Sequence, residues 1–398
     1  MPSSSRTLTT IPPWLVLMGM LTALGPLAID MYLPAFPAIA TGLNATQGQV
    51  ERTLAGYLLG LALAQLFYGP VADRFGRKLP LLVGLCIFLA ASIGCAFASS
   101  IDQLAFWRTV QAFGGAAGLV IPRAVIRDNY DTRDASKALS ILLLVMGVTP
   151  ILAPLLGGQV LAYGSWRGIF AIMAVAALAL LATSWRFMKE TLPPEKKILL
   201  RPGNIWRNYT GLLRHRKFVC FTLSGGFGSA GMFAYIAGSP RVFIEIFQID
   251  ARYFGFFFGT NAAALILASQ VSARLLNRYS PETLLRASQK ALLVMACAGV
   301  LLTLAGGLTL PWLMICLVGY MGSQGFVNPN AAALALSEQG HRLGAASALM
   351  GAMQMTCGAL AGVAVSLWLA PTPLPLTGVL AACAALSWLF GRMALRRA

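Results

Sequence analysis

The sequence predicts an all-α polytopic membrane protein with twelve transmembrane helices set as two six-helix halves. Three observations carry that expectation. Mean hydropathy is +0.73, and 58% of the 398 residues are hydrophobic against 11% charged, more apolar chain than a soluble core can use. Apolar stretches of roughly 20 residues, the length that crosses a bilayer as a helix, recur along the chain. Lys and Arg gather in alternate loops, so the net charge of +17 is accounted for by membrane topology rather than by nucleic-acid binding.

In order, the spans are expected at 12–33, 50–69, 79–98, 103–125, 138–161 and 166–187, then at 217–239, 253–273, 285–305, 311–335, 345–369 and 375–392. Ala38, Ile39 and Ala40 look like a signal cleavage site. The apolar run before them exceeds the usual ~7–15 residue signal core, so span one is read as retained. The longest polar stretch, Lys189 to Lys217, includes Pro193, Pro194, Lys196, Lys197, Arg201, Arg207, Arg214 and Arg216. It divides the chain into an N-terminal half (1–188), a cytoplasmic central loop (189–216) and a C-terminal half (217–398). With the N-terminus inside, Arg6, Arg74, Arg77, Lys78, Arg127, Arg133, Lys137, the central loop, Arg274, Arg278, Arg286, Lys290, Arg342, Arg392, Arg396 and Arg397 share one side. Only Arg52, Arg167, Arg241 and Arg252 lie near the other. Both termini are therefore expected in the cytoplasm. Two such halves suit a transporter with its site between them, although the internal similarity (Gln111 to Gly114 against Gln324 to Val327) is faint.

Enzyme chemistry has no visible footing in the sequence. The seven cysteines (Cys86, Cys95, Cys220, Cys297, Cys316, Cys357, Cys383) lie in apolar segments without a CxxC pair and read as small core residues. His215 and His341 fall in cytoplasmic loops without ligand spacing, so no metal site is expected. Walker, GxSxG and HExxH patterns are absent, and neither a cofactor nor an enzymatic activity is expected. ATP-driven transport would need a separate subunit.

The functional reading rests on ionisable groups inside spans. Span one is uncharged from Ile11 to Ile29 and ends in Asp30, Met31, Tyr32, Leu33 and Pro34. Asp30 stands nearly alone: Glu51 is placed at a helix start, the other acids in loops or at helix ends, and none inside a span of the second half. A carboxylate at membrane depth is costly and marks a functional site by default. Arg108 in span four likewise needs a partner or water, and snorkelling to the interface would also satisfy it. Asp30 lies about four residues before the outer end of span one and Arg108 about five after that of span four, so at ~1.5 Å per residue the two could share one cavity. A carboxyl whose proton affinity depends on hydration and a neighbouring charge is what proton coupling requires. Asp30 and Arg108 are the candidates for it.

After span two comes Gly69, Pro70, Val71, Ala72, Asp73, Arg74, Phe75, Gly76, Arg77 and Lys78. Gly and Pro permit a turn, Asp73 can neutralise a helix N-terminus, and the cations supply its partners. An ordinary positive loop would also fit. Span five holds Thr149, Pro150, Ala153, Pro154, Gly157 and Gly158, prolines that kink and glycines that admit a neighbour.

The Gly-x-x-x-Asp-Arg-x-Gly-Arg-Lys spacing closely resembles the loop 2–3 signature of the major facilitator superfamily. That resemblance implies a conformational latch, made of Gly69, Asp73, Arg74, Gly76, Arg77 and Lys78, that joins the halves in the outward-facing state. Arg108, Gln111, Gly114 and Gly115 resemble the family's span-four signature, whose Arg is tied to proton transfer; Ala112 stands where many relatives have Gly. The helix-five kink at Pro150, Pro154, Gly157 and Gly158 resembles the antiporter signature, with Thr149 and Ala153 replacing its usual Gly. Asp30 to Pro34, Arg123 with Arg127 and Asp128, and Trp166, Arg167 and Phe170 together resemble the bicyclomycin-resistance (Bcr/CflA) group of drug:proton antiporters. The resemblance spans the chain and is carried mainly by the first half. It implies export of small bicyclomycin-, phenicol- or sulfonamide-like drugs across the bacterial inner membrane. Thr22 stands where some multidrug relatives carry a second acid, which speaks against dications.

Substrate-cavity candidates are Tyr32, Tyr57, Gln65, Gln111, Tyr235, Asn261, Gln324, Asn328, Asn330 and Gln354, with Gln270 beside them; for those of the second half helix–helix hydrogen bonding is the favoured role. The run Phe254, Phe256, Phe257 and Phe258 reads as packing. The expected protein is a monomeric proton-coupled antiporter working by alternating access, with a small drug or metabolite, protons and lipid as partners and no nucleic acid. Its rivals are an exporter of an amino acid or other small metabolite, and a transporter-like sensor that moves nothing.

Overall fold

In the computed structural model, residues 12–130, 132–196, 202–339, 343–368 and 370–396 are described. Arg6, Lys197, Arg201, His341, Arg342 and Arg397 lie outside them. Twelve helices among the described residues are long and apolar enough to cross a membrane. Spans one to six are Pro13–Gly42, Gln47–Phe75, Lys78–Ala96, Ile101–Asn129, Lys137–Tyr163 and Trp166–Phe187. Spans seven to twelve are Arg216–Ile246, Ala251–Leu275, Pro281–Leu304, Leu310–Leu336, Leu343–Leu367 and Leu374–Leu395.

Spans one, two, four, seven and nine run a turn or more past the apolar stretch at one end, because caps rather than hydrophobicity end a helix. Span two starts in a capping box in which Gln49 N donates to Thr46 Oγ1 (3.3 Å) and Thr46 N donates to Gln49 Oε1 (2.8 Å). Ser100, Ser165, Asp250 and Ser280 likewise accept from the first turns of spans four, six, eight and nine.

The helices form two six-helix halves. In the first, span four packs on spans one, two and three, span three on six, and span one on five. Adding six to each number gives the second: ten on seven, eight and nine, nine on twelve, seven on eleven. Small residues allow these approaches. A Cβ at Gly114 would meet the backbone of span three at Gly84 and Phe88, and one at Gly325 would meet the Leu265 carbonyl of span eight. The halves join mainly along spans two with eleven and five with eight.

Two expectations change. The central segment 189–216 is not all loop: Pro202–Arg214 is a helix. Its Tyr209 hydroxyl donates to the Leu66 carbonyl of span two (3.1 Å), and Leu212 is buried. Two polar flanks hide that short apolar face from a composition reading. Five of the cysteines are buried as expected, whereas Cys86 and Cys297 are exposed, each on a helix face turned away from the core.

Candidate functional site

Span one is a broken helix. It runs from Pro13 to Asp30, passes through a 3-10 turn at Leu33–Ala35, and resumes as Phe36–Gly42. The cause is local: Pro34 has no N–H to give the Asp30 carbonyl, and Pro37 none for Leu33. The ladder stops where the acid stands. Asp30 therefore lies twelve residues before the span's end at Gly42, not about four, which is ~18 Å along a helix axis.

Asp30 is 3% exposed and makes no ion pair or hydrogen bond among the described residues. The turn that follows it, Leu33–Ala35, packs on span five of its own half and on spans seven and eight of the other, so the acid stands beside the junction of the halves. The Tyr57 hydroxyl donates to the Gly25 carbonyl (3.4 Å). Tyr235 accepts from Asn261 Nδ2 (3.1 Å) and stacks on Phe258 (5.3 Å). Phe258 thus supports the site from a run read only as packing.

Arg108 is fully buried, so it does not snorkel. Its guanidinium carbon lies 4.3 Å from the Tyr57 ring centre, 4.6 Å from Tyr32 and 5.9 Å from Phe170, a desolvated cation–π cage. Nη1 donates to Gln111 Oε1 (2.6 Å), while Nε and Nη2 have no hydrogen-bond partner. Arg108 and Asp30 form no ion pair among the described residues. Tyr57 touches the surroundings of both: its ring faces Arg108 and its hydroxyl is bonded to Gly25 of span one. Tyr32 closes the cage and exchanges a hydrogen bond with the Thr53 hydroxyl.

The structure divides the remaining candidates. Gln111 does not line a cavity: its amide serves Arg108, Ser92 (2.7 Å) and Met173 (3.7 Å), between spans three, four and six. Asn330 donates to Ser272 (2.9 Å) and ties span ten to span eight. Gln324 reaches Ser229 at 3.4 Å, and its Oε1 is unpartnered. Gln354 donates to Asn328 Oδ1 (3.1 Å), joining spans ten and eleven. Gln65 meets Gly351 across the seam between the halves. Asp30 and Tyr57 of the first half, with the bonded pair Tyr235 and Asn261 of the second, remain as the candidate group.

The latch residues hold together one end of the first half. Arg77 pairs with Asp73 (2.6 Å) and with Asp128 at the end of span four (2.8 Å). Glu190, after span six, accepts from the backbone N–H of Arg77 (2.8 Å) and Lys78 (3.1 Å). Burial opposes its ionisation, yet these two N–H groups with those of Leu192 and Thr191 hold its carboxyl below the usual carboxylate range. Lys78 Nζ donates to the Trp185 carbonyl (2.8 Å). Gly76 has φ +94° and sits against the Glu190 carboxylate, whereas nothing crowds Gly69. No polar partner of Arg74 is found among the described residues. Span five is continuously helical through Pro150 and Pro154. A Cβ at Gly157 would strike the Met31 carbonyl at the break in span one, and one at Gly158 would lie 2.8 Å from the Ala251 carbonyl of span eight.

Sequence reasoning missed two charged groups. Glu51, placed at a helix start, is fully buried. Glu245 lies within span seven, which continues through a π-helical turn, Arg241–Ile246. A lone acid four residues after Gln47 on an otherwise apolar face was the available signal.

Comparisons agree with this architecture. Residues 18–364 match the family model described as Major Facilitator Superfamily. The chain is 36% identical to the MFS-type transporter YdgK of Bacillus subtilis over 346 residues, 86% of each chain. It is 31% identical to a bicyclomycin resistance protein homolog of Haemophilus influenzae over 376 residues, 94% of each. With the multidrug resistance protein MdtL of Escherichia coli it shares 30% over 374 residues, 93% of this chain and 92% of that one. Among solved structures, a bacterial homolog of the human lysosomal transporter Spinster superposes with a TM-score of 0.76 at 15% identity, covering 96% of both chains. A D-xylose–proton symporter gives 0.74 at 13%, covering 95% and 96%.

Proposed function

We propose, on the premise that the chain belongs to the Major Facilitator Superfamily, that it is a proton-coupled exporter of small drugs with Asp30 as the residue that takes up and releases the proton. The chain is a multi-pass membrane transporter of the drug-resistance type. The observation that carries the finer reading is Asp30 itself, a buried carboxyl without an ion pair at the break in span one, where that break packs on spans seven and eight of the other half. A carboxyl there changes hydration whenever the halves rock, and hydration changes its hold on a proton.

In this reading an outside proton binds Asp30 as drug leaves outward, and its release inward accompanies reloading. Arg108, locked in its cage, acts on Asp30 through the field at Tyr57 and not by a salt bridge. The relatives named for bicyclomycin and multidrug resistance support a drug as cargo. The aromatic and amide groups near Asp30 favour a neutral or weakly polar molecule. The moving bodies are residues 1–188 and 217–398, joined by 189–216 on the cytoplasmic side, with both termini cytoplasmic and one chain sufficient. The loop at Gly69 to Lys78 engages the second half in the outward-facing state, and Pro150, Pro154, Gly157 and Gly158 let span five follow the rocking.

The test is proton release from purified protein when bicyclomycin, a phenicol or a sulfonamide is added, with Asp30→Asn beside the wild type. Release by the wild type alone supports the reading. Binding of drug without release by the wild type overturns it.

A further inference from the structure

Outside the Asp30 group, one acidic side chain is enclosed without a use. Glu51 is fully buried in span two, and neither carboxylate oxygen has a hydrogen-bond partner. One turn earlier, both polar atoms of the Gln47 side chain are buried and unpartnered. Burying an ionised carboxylate is costly unless it is paired, so this group must have either a counter-charge or a proton.

The seam supplies the counter-charge. Ala55 of span two and Ala237 of span seven both flank Gly362 of span eleven, with their Cβ atoms 4.0 and 3.7 Å from a Cβ built there. One turn further out lie Glu51 on span two and Arg241 on span seven. The two stand on facing helices of the seam, yet Glu51 forms no ion pair with Arg241 within 4 Å. Arg241 spends Nη2 on the Ala370 carbonyl (2.8 Å) and leaves Nη1 buried and unpartnered. Glu245 is exposed. Of the other elements packed on span two, span eleven and Phe36–Gly42 carry no charge, the first turns of span four have Asp102, which is exposed, and Arg108, which is held in its cage, and Arg52 on the same helix as Glu51 is exposed, with Nε on the Gly48 carbonyl (3.3 Å).

We propose that Glu51 is a second proton-binding site, placed at the outer seam between the halves, and that with Arg241 opposite it senses the pH outside the membrane and sets how readily the outer end closes. Opening the outer end separates span two from span seven and hydrates Glu51. Closing it removes that water. A neutral Glu51 closes without cost, and an ionised one closes only as far as Arg241 compensates it. The proton enters and leaves on the same side, so it gates the cycle and is not carried across. Asp30, at the break in span one, is a separate site.

The experiment is a distance measurement by electron spin resonance between labels at Thr41→Cys and Thr372→Cys, both exposed on the outer face. Cys86 and Cys297 are replaced by Ser, and Asp30→Asn removes the other buried carboxyl of the spans. The protein is reconstituted in lipid nanodiscs with no drug present, so the outcome does not depend on the efflux reading. As pH falls, the ratio of closed to open outer ends should rise, by up to about tenfold per pH unit, the limit for one proton. Glu51→Gln, isosteric with the neutral acid, should stay closed and flat across the range. Arg241→Gln should open the protein at alkaline pH and leave the acid limit unchanged, which a merely structural role would not produce. A Glu51→Gln protein that titrates like its parent, or a parent that does not titrate, overturns the proposal.

Discussion

At the scale of single residues, the proposed coupling rests on Asp30 and Arg108, between which no ion pair forms among the described residues. Arg108 is held by three ring faces and one amide. Arg108→Lys keeps the charge but loses the planar stacking and the fork. Export should fall at least about tenfold, the equivalent of 1.4 kcal/mol, with folding retained, measured as drug efflux from inverted vesicles. Gln111→Leu leaves Arg108 without its only hydrogen-bond acceptor among the described residues. It should lower stability by about 1.5–3 kcal/mol, the range for a bond to a charged group, read as a lower thermal midpoint in detergent. The candidacy of Asp30 was legible because an acid in an apolar run is visible in one dimension. That Arg108 would be taken up by ring faces and an amide, and not by this carboxylate, was not legible, because Tyr32, Tyr57, Gln111 and Phe170 are brought together only by packing.

At the scale of elements, the loop after span two is a joint with one strained position. Gly76 has a positive φ and touches Glu190, whereas Gly69 is open. Gly76→Ala should cost about 1 kcal/mol or more, as a non-glycine residue does in left-handed backbone, and Gly69→Ala should be close to neutral, both followed by thermal stability. Glu190 adds a pH dependence. Its folded proton affinity is depressed by the N–H groups it accepts, so its contribution is complete above the ordinary carboxylate range and is lost as pH falls through the lowered value. Glu190→Gln should abolish that acid-side loss, seen in hydrogen exchange at the start of span three. The loop spacing announced a signature. That its polar partners sit in spans two, four and six and the segment after span six could not be read from spacing, since Asp128 and Glu190 are remote in sequence.

At the scale of the whole molecule, the seam between the halves is a stack of small residues. A Cβ at Gly362 stands 4.0 Å from that of Ala55, inside the ~3.5–4.5 Å window of a disulfide. The pair Ala55→Cys and Gly362→Cys should therefore cross-link under mild oxidation and hold the outer end shut. Efflux should stop on oxidation and return with a reductant. A pair that cross-links without loss of efflux would show that the outer ends need not part there.

The sequence by itself determined the spans, their number and the six-plus-six division, because a bilayer demands long uninterrupted apolar helices and tolerates charge only where it is needed. It also determined the family, through motifs short enough to survive as local spacing. Tertiary structure alone decided which polar residues meet. Gln111 turned inward to Arg108, Asn330 turned to span eight, and Glu51, the ordinary-looking acid of a helix start, was enclosed opposite a cation of the other half. In a helical membrane protein every face of every span is apolar enough to bury, so periodicity does not reveal which neighbour covers it. Only packing assigns the partner.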